Sequence, residues 1–453
     1  MSVFAPDTSS QSFDLLIRGG TVATPNGIAP ADVGVIAGRI AAIGALSAAK
    51  AAEVFDAKGL HVLPGVMDTQ VHFREPGNAH KEDLASGSLA AILGGVTAVF
   101  EMPNTNPPTT TRAAIEDKLA RAKGRMHCDH AFYAGATPQN IGALAELESM
   151  PGVCGIKAFL GSSTGTLLLN KEEDIFAALK AGRRRVAVHS EDEDRMIARK
   201  HLAERGKPET HPVWRDAEAA RMSTERVLRL ARAAGRRLHV LHVTTGDEIP
   251  LLAATKDFST AETTPQHLTL SAPECYERLG TYAQMNPPIR DESHRRALWA
   301  AVRDGVIDVI GSDHAPHTRE EKDKTYPDTP SGMPGVQTLT TILLDHVNKG
   351  NLTLERFIDL TSAGAQRIFG IAGKGRIALG YDADFTVVDM GLTRTIENKW
   401  IASTCGWTPF DGMQTKGWAV ATILRGRIVM RDFAATGPAA GLPLRFVETL
   451  ERA

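Results

Sequence analysis

Residues 62–77 read VLPGVMDTQVHFREPG, and this stretch indicates what kind of fold the chain adopts. Its first half is apolar and bounded by turn residues, which is typical of a buried strand. Its second half is polar. Because strand side chains alternate between two faces, Gln70, His72 and Arg74 point to the same side. The stretch therefore predicts a buried strand with chemically active side chains at its carboxyl end.

Seven further apolar runs follow, mostly separated by helical segments rich in alanine and leucine. They lie near residues 96–102, 130–135, 154–160, 185–191, 238–244, 260–264 and 306–313. Eight strands alternating with helices predict an α/β fold, a (β/α)8 TIM-like barrel, with active-site groups at the carboxyl ends of the strands.

Both ends of the chain have a different pattern, with short β-type runs separated by glycine-bearing turns. The sequence therefore predicts a small β-sandwich domain formed by residues 1–61 together with 376–453. The barrel is predicted to occupy residues 62–375.

Composition limits the classes of partner. The 51 basic and 53 acidic residues give a net charge of -2, which favours neither nucleic acid nor an anionic membrane. We therefore expect a small-molecule substrate. The four cysteines form no CxxC pair, no run of ~18 apolar residues occurs, and the first residues do not resemble an export signal. These features predict a cytoplasmic protein.

Polar residues recur where the predicted strands end. They are His72 and Arg74 after run one, Asn104 after run two, Lys157 in run four, His189 in run five, His242 in run six and Asp313 in run eight. Imidazoles and a carboxylate at one barrel mouth are natural ligands for zinc or a similar divalent ion.

Each of these residues also has an ordinary structural interpretation. A single histidine at a strand end is commonly a hydrogen-bonded core residue, and Asp313 could cap the following helix. Lys157 could extend its ammonium outward or pair with a carboxylate. Alternatively, a buried lysine that loses its proton can react with carbon dioxide and become an anionic carbamate.

Several motifs together resemble the dihydroorotases of the amidohydrolase superfamily, over about residues 14–433. The motifs are DTQVHFREPG, GGVTAVFEMPNTNPPTT, GIKAFLGSSTG, TPQHL, MNPPIR and GSDHAPHTREEK. The resemblance implies a barrel, a composite β-sandwich and one or two zinc ions bridged by a carboxylated lysine, here Lys157. It places His189 and His242 at the more buried metal site, and His72 and Asp313 at the more exposed one.

The resemblance also implies roles in substrate binding. Arg74, Asn104 and His317 match the residues that hold the substrate carboxylate, and Asn286 would line the ring pocket. The planar fork of an arginine suits a carboxylate. Arg74 could instead be a structural ion-pair partner of Glu75 or Glu101.

Gln70 departs from the family pattern, which usually has His-x-His where this chain has Gln-x-His. A neutral carboxamide oxygen is a poorer zinc ligand than an imidazole nitrogen. We therefore hypothesise that Gln70 is a weak ligand, and that the protein holds one metal ion tightly and any second ion loosely.

The implied reaction is the reversible hydrolysis of dihydroorotate to N-carbamoyl-L-aspartate in pyrimidine biosynthesis, with Asp313 as general base and then general acid. Two alternatives stay open. One is an inactive scaffold subunit for aspartate transcarbamoylase, and the other is a hydrolase of another cyclic amide such as a hydantoin, a dihydropyrimidine or allantoin. A homodimer is a further candidate, because members of the family are often dimers.

The polar segment after Asp313, TREEKDKTYPDTPSGMPG, has two interpretations. It could be a mobile flap beside the site or a solvated loop.

Overall fold

The computed structural model describes residues 12–163 and 167–450. Its first sheet has nine strands and is built from both ends of the chain. The strands are β1 Ser12–Thr24, β2 Gly27–Ile36, β3 Arg39–Gly44, β4 Lys50–Asp56, β5 His61–Pro64, β14 Phe385–Thr395, β15 Gln414–Leu424, β16 Arg427–Arg431 and β17 Ala434–Ala435. β5 joins the two halves, because it pairs with β1 on one side and with β14 on the other.

The second sheet is an eight-stranded parallel barrel. Its strands are β6 Val66–Val71, β7 Val96–Glu101, β8 Asp129–Gly135, β9 Val153–Phe159, β10 Val186–His189, β11 Leu238–Val240, β12 Ser259–Thr263 and β13 Val309–Ile310. They pair in chain order, and a parallel bridge between Val71 and His314 brings the last strand back to the first. The predicted (β/α)8 fold is therefore confirmed.

One predicted strand is two strands in the structure. The apolar run at 62–72 contains β5, which belongs to the terminal sheet, and β6, which opens the barrel. Gly65 separates them, and a Cβ at this position would lie 2.4 Å from Oγ1 of Thr97. The chain thus passes from one sheet to the other where only a glycine fits.

Fifteen α-helices lie within the described residues. They are α1 Leu84–Leu93, α2 Arg112–Ala122, α3 Leu144–Leu147, α4 Glu172–Lys180, α5 Glu193–Arg199, α6 His211–Trp214, α7 Ala217–Ala234, α8 Ile249–Ala253, α9 Pro265–Thr269, α10 Glu274–Leu279, α11 Glu292–Arg303, α12 Arg319–Lys322, α13 Leu339–Asn348, α14 Leu354–Ile358 and α15 Gly364–Phe369. Across these ranges, no helix combines the length and apolar character needed to cross a bilayer.

The longest helix, α7, shows how local sequence sets these boundaries. The Asp216 side chain accepts a hydrogen bond from the amide of Ala219 (3.0 Å), which satisfies a free donor in the first turn. The helix ends at Ala234 and is followed by Gly235, whose φ of +68° is readily adopted only by glycine. Its buried face, which includes Val227 and Leu228, packs in the main core.

The amino end of the barrel is closed by the last residues of the described chain. Leu444 and Phe446 are buried in a cluster with Phe100 and Tyr133, and the Phe446 ring centroid lies 6.0 Å from that of Phe100. A parallel bridge between Pro443 and His130 fixes this segment against β8. The opposite, carboxyl end of the barrel carries the polar residues considered next.

Candidate active site

A polar cavity lies at the carboxyl ends of the barrel strands. Its walls contain Gln70, His72, Lys157, Phe159, Ser163, His189, His242, Asn286, Asp313, Ala315, Ser331 and Gly332. Seven residues that were singled out in the sequence are therefore brought together, although they are far apart along the chain. Their roles in binding and catalysis stay predictions.

The backbone at this mouth is unusual. Arg74, His242 and Asp313 have φ values of +62°, +36° and +45°, which residues other than glycine adopt rarely. Such conformations cluster at functional sites, where the surrounding structure supports their cost. They turn these side chains inward just beyond their strands.

His72, Asp313 and Gln70 form one side of the cavity. Nδ1 of His72 lies 2.7 Å from Oδ1 of Asn104, so that oxygen accepts a hydrogen bond from a protonated Nδ1. Nε2 of His72 lies 3.1 Å from Oδ1 of Asp313. Nε2 of Gln70 donates to the same carboxylate oxygen at 2.8 Å. Burial lowers the pKa of His72 and so favours its neutral, ligating form.

His189 and His242 form the other side. Nδ1 of His189 lies 3.0 Å from Nε2 of His242, and Nε2 of His189 lies 3.0 Å from Oε2 of Glu191. Burial lowers the pKa of both histidines. Burial alone would raise the pKa of Glu191, but Arg215 and His189 hold it well below its usual range. Glu191 is thus an anion within ion-pair distance of His189.

Lys157 lies between the two sides. Its side chain is 0% exposed, and burial lowers its pKa to about 7, an effect that Asp313 and Glu262 partly oppose. Within the described ranges its Nζ has no hydrogen-bond partner, and the ring centroid of Phe159 lies 4.5 Å away. The carboxylate pairing considered from the sequence is therefore not present among these residues.

The donor set fits a divalent ion if Lys157 takes part. Four buried polar atoms at this cavity have no hydrogen-bond partner in the described chain, namely Oε1 of Gln70, Nζ of Lys157, Nε2 of His189 and Nδ1 of His242. Over the same residues, no group of three or more His, Cys, Asp or Glu side chains is arranged to hold a metal. The histidine pair and the His72–Asp313 pair do not form one such group, and Lys157 lines the same cavity.

Arg74 and His317 are adjacent to the cavity wall. Nε of Arg74 donates to the Pro316 carbonyl (3.1 Å), and its Nη2 lies 3.2 Å from Nε2 of His317. His317 Nε2 also lies 3.0 Å from the carbonyl oxygen of Ser331, which lines the cavity. Burial, together with Arg74 and the nearby lysines, lowers the pKa of His317 to about 3, so its ring is neutral.

Arg74 is a buried cation without a carboxylate partner. Its side chain is 5% exposed, and no carboxylate oxygen of the described residues lies within 4.0 Å of its guanidinium. The structural role considered from the sequence is wrong, because Glu75 pairs with Arg125 (2.7 Å) and Glu101 pairs with Lys118. The contacts of its guanidinium described above are with the Pro316 carbonyl and with His317, and neither partner is an anion.

Several residues that the structure places at the site were not predicted from the sequence. They are Phe159, Ser163, Glu191, Ala315, Ser331 and Gly332. Two of them carried a readable signal. Phe159 follows Lys157 by two residues within β9 and so shares its strand face. Glu191 lies two residues beyond His189, the last residue of β10.

Comparison with known proteins agrees with this arrangement. The sequence model of the amidohydrolase family matches residues 61–429. The chain belongs to this family. The resemblance found in the sequence is therefore confirmed at the level of the family.

Curated relatives of this amidohydrolase carry more than one activity. It is 38% identical over 370 residues to a dihydroorotase of Halobacterium salinarum, covering 81% of this chain and 86% of the relative. It is 37% identical over 454 residues to an allantoinase of Rubrobacter xylanophilus, covering 96% and 98%. These names indicate a hydrolase of cyclic amides and leave the ring unspecified.

A solved structure gives the same result. The L-hydantoinase (dihydropyrimidinase) of Arthrobacter aurescens superposes on this amidohydrolase with a TM-score of 0.91 at 29% identity, covering 95% of this chain and 99% of the other. The shared architecture includes both the barrel and the terminal sheet. The identity of the ring that this chain hydrolyses must come from its own side chains.

Proposed function

We propose that this protein is a zinc-dependent dihydroorotase, which interconverts dihydroorotate and N-carbamoyl-L-aspartate. The observation that carries this proposal is Arg74, a guanidinium buried beside the cavity with no carboxylate of the described chain in reach. Dihydroorotate bears a ring carboxylate, whereas allantoin, hydantoin and dihydrouracil do not. An unpaired buried cation is costly unless an anionic ligand completes it.

The side chains around the cavity divide the work of binding. Arg74 holds the carboxylate by two parallel hydrogen bonds. Asn104 and His317 flank it, and Asn286 contacts the ring. Nε2 of His211 lies 2.9 Å from Oδ1 of Asn286 and fixes its orientation. Holding the ring in one orientation can lower the activation barrier by up to about 7–11 kcal/mol.

Asp313 moves the proton. In hydrolysis, a water molecule adds to the ring carbonyl carbon and gives a proton to the Asp313 carboxylate. The ring C–N bond then breaks, and Asp313 returns that proton to the departing nitrogen. Gln70 and His72 both contact Oδ1 and so leave Oδ2 to face the reacting groups. General acid–base transfer of this kind contributes about 10²–10⁴-fold.

Zinc, when bound, supplies an electrophile that polarises the ring carbonyl and makes water more acidic. The residues that would hold it are His189, His242 and Lys157 on the buried side, with His72 and Asp313 on the other. Lys157 suits a carbamate, since burial lowers its pKa to about 7, and the neutral amine that is then present near pH 7 can react with carbon dioxide. Gln70 would add only a neutral oxygen.

The test is a comparison of substrates and variants. Purified protein with added zinc and bicarbonate is assayed on dihydroorotate, allantoin, hydantoin and dihydrouracil. We expect dihydroorotate to have the highest kcat/KM. Arg74→Gln should raise KM for dihydroorotate by roughly 100-fold, since it removes a charge-assisted pair, and should leave dihydrouracil nearly unchanged. Arg296→Gln, which removes an exposed arginine, is the matched control.

Each alternative gives a different result in the same assay. Preference for allantoin or hydantoin, with no effect of Arg74→Gln, refutes the dihydroorotase assignment. An inactive scaffold for aspartate transcarbamoylase shows no turnover at any zinc concentration. We propose further that the protein is a cytoplasmic homodimer. Sedimentation of the same preparation measures its oligomeric state.

A further inference from the structure

Lys322 is a second buried cation near the cavity that has no carboxylate partner. It ends helix α12, its side chain is 0% exposed, and no carboxylate oxygen of the described residues lies within 4.0 Å of Nζ. Its three N–H groups instead meet three backbone carbonyls, those of Gln284 (3.2 Å), Pro330 (3.0 Å) and Gly332 (3.2 Å). Burial lowers the pKa of Lys322 to about 7. A protonated ammonium has three donors, however, so these three carbonyl acceptors favour its charged form.

The three carbonyls belong to the two segments that form one wall of the cavity. Residues 329–332, here called the strap, contribute Ser331 and Gly332 to the cavity lining. The second segment contributes Asn286, and Gln284 precedes it by two residues. The strap and Gln284 also bond directly, because the Gly332 amide donates to the Gln284 carbonyl (2.9 Å). Lys322 therefore joins both segments from behind.

The strap is pressed closely against the segment that carries Asp313. Gly332 has a φ of +140°, and a Cβ there would lie 2.5 Å from the carbonyl oxygen of Ala315. Its neighbour Ser331 contacts His317 through its carbonyl. A small displacement of the strap would therefore change the shape of the cavity beside Asp313.

Packing alone does not account for a charge at this position. A methionine has a similar volume and would avoid the cost of burying an ammonium, yet it would leave Pro330 and Gly332 without this donor. The 318–335 segment, which could be a flap or a solvated loop by its sequence, is exposed at some positions and buried at others. Its buried members include Lys322, Tyr326 and Thr329.

We propose that Lys322 is a positioning residue for substrate binding, which fixes the strap and the Gln284–Asn286 segment at the spacing that the ring requires. The positive charge behind His317 also favours an anionic substrate. That second effect rests on the proposed function, whereas the positioning of the wall applies to any cyclic amide. The residue does not touch the reacting atoms, so its loss should affect binding more than turnover.

The test uses the full chain loaded with zinc and whichever ring the unaltered protein hydrolyses best. Lys322→Met should raise KM by about tenfold or more, keep kcat within about twofold, and leave the metal content unchanged. Lys322→Gln keeps N–H donors without the charge and should show a smaller rise in KM. If Lys322→Met does not fold, the rise in KM is measured on Lys322→Gln instead. Lys324→Met, which removes an exposed lysine two residues away, is the control.

Two results would overturn the inference. One is a KM within twofold of the unaltered protein in folded Lys322→Met and Lys322→Gln. The other is a parallel loss of kcat and bound metal, which would make Lys322 a general stability residue. Failure of the proposed function appears separately, as a preference of the unaltered protein for an uncharged ring, and the KM comparison is then made with that ring.

Discussion

Gln70 shows how one side chain can change the role of a position. Its amide nitrogen donates to Oδ1 of Asp313, and its oxygen has no hydrogen-bond partner among the described residues. A histidine here would present a nitrogen lone pair beside His72. The carboxamide instead holds the carboxylate and offers zinc only a neutral oxygen.

We expect this difference to appear in the metal content. After dialysis against a chelator, the unaltered protein should retain about one equivalent of zinc, and Gln70→His should retain close to two. The reason is that imidazole is the stronger donor to a borderline-soft ion. Elemental analysis measures both values without reference to activity. Two tightly held equivalents in the unaltered protein would show that a glutamine is a sufficient ligand.

Single residues were predictable from sequence where they follow a strand. His72, His189, His242 and Asp313 each follow an apolar run, and parallel strands end at one face of a barrel. Lys322 could not be found in this way, because its acceptors are backbone carbonyls. Backbone groups have no signature in the sequence, so only the folded chain shows what surrounds it.

At the scale of elements, the eight barrel strands were predictable because strands buried on both faces form nearly continuous apolar runs. The same property hid the division at Gly65. Apolar residues continue across it, and periodicity cannot distinguish two buried strands in different sheets from one long strand. The steric contact with Thr97 that requires glycine there depends on a strand 32 residues away.

The carboxyl-terminal segment that closes the barrel should contribute to stability and not to catalysis. Phe446 is buried against Phe100, and the Arg184 guanidinium lies 4.6 Å from its ring centroid. Phe446→Ala should therefore lower the free energy of unfolding by about 3–5 kcal/mol. KM should stay unchanged, because the cavity is at the other end of the barrel. Urea denaturation and steady-state kinetics check the two parts, and Val447→Ala, at an exposed position, is the control.

For the molecule as a whole, buried titratable groups fall into two opposed sets. Burial lowers the pKa of six histidines outside the predicted metal ligands to about 3 or 4, namely His130, His211, His239, His267, His317 and His346. Burial raises the pKa of three carboxyls, to about 7 for Asp68 and Glu101 and about 8 for Glu262. The first set makes the fold less stable in acid, and the second makes it less stable in base.

The direction in which pH changes stability follows from comparing the pKa of each group in the folded chain with its pKa in the unfolded chain. Each histidine binds a proton in the unfolded chain below about pH 6.5 but not in the folded chain, so its contribution is present above 6.5 and is lost as the pH falls toward 4. Each raised carboxyl is protonated in the folded chain but ionised in the unfolded chain above about pH 4, so its contribution is fully present below about pH 4 and is lost as the pH rises through 7 or 8. The histidines are the larger set, so acid should destabilise this protein.

We therefore predict that the free energy of unfolding of the metal-free protein falls steeply between pH 6.5 and 5.5, before ordinary carboxylates titrate. Near pH 5.5 unfolding lets six histidines each bind a proton and three carboxyls each release one, a net uptake of about three protons. The free energy of unfolding should then change by roughly 4 kcal/mol per pH unit. Denaturation at pH 7.5, 6.5 and 5.5 measures it. His346→Gln should reduce the slope by about 1.4 kcal/mol per pH unit, whereas Glu262→Gln should steepen it near pH 7. A flat profile would mean that these histidines are protonated in the fold, which their buried, hydrogen-bonded surroundings oppose.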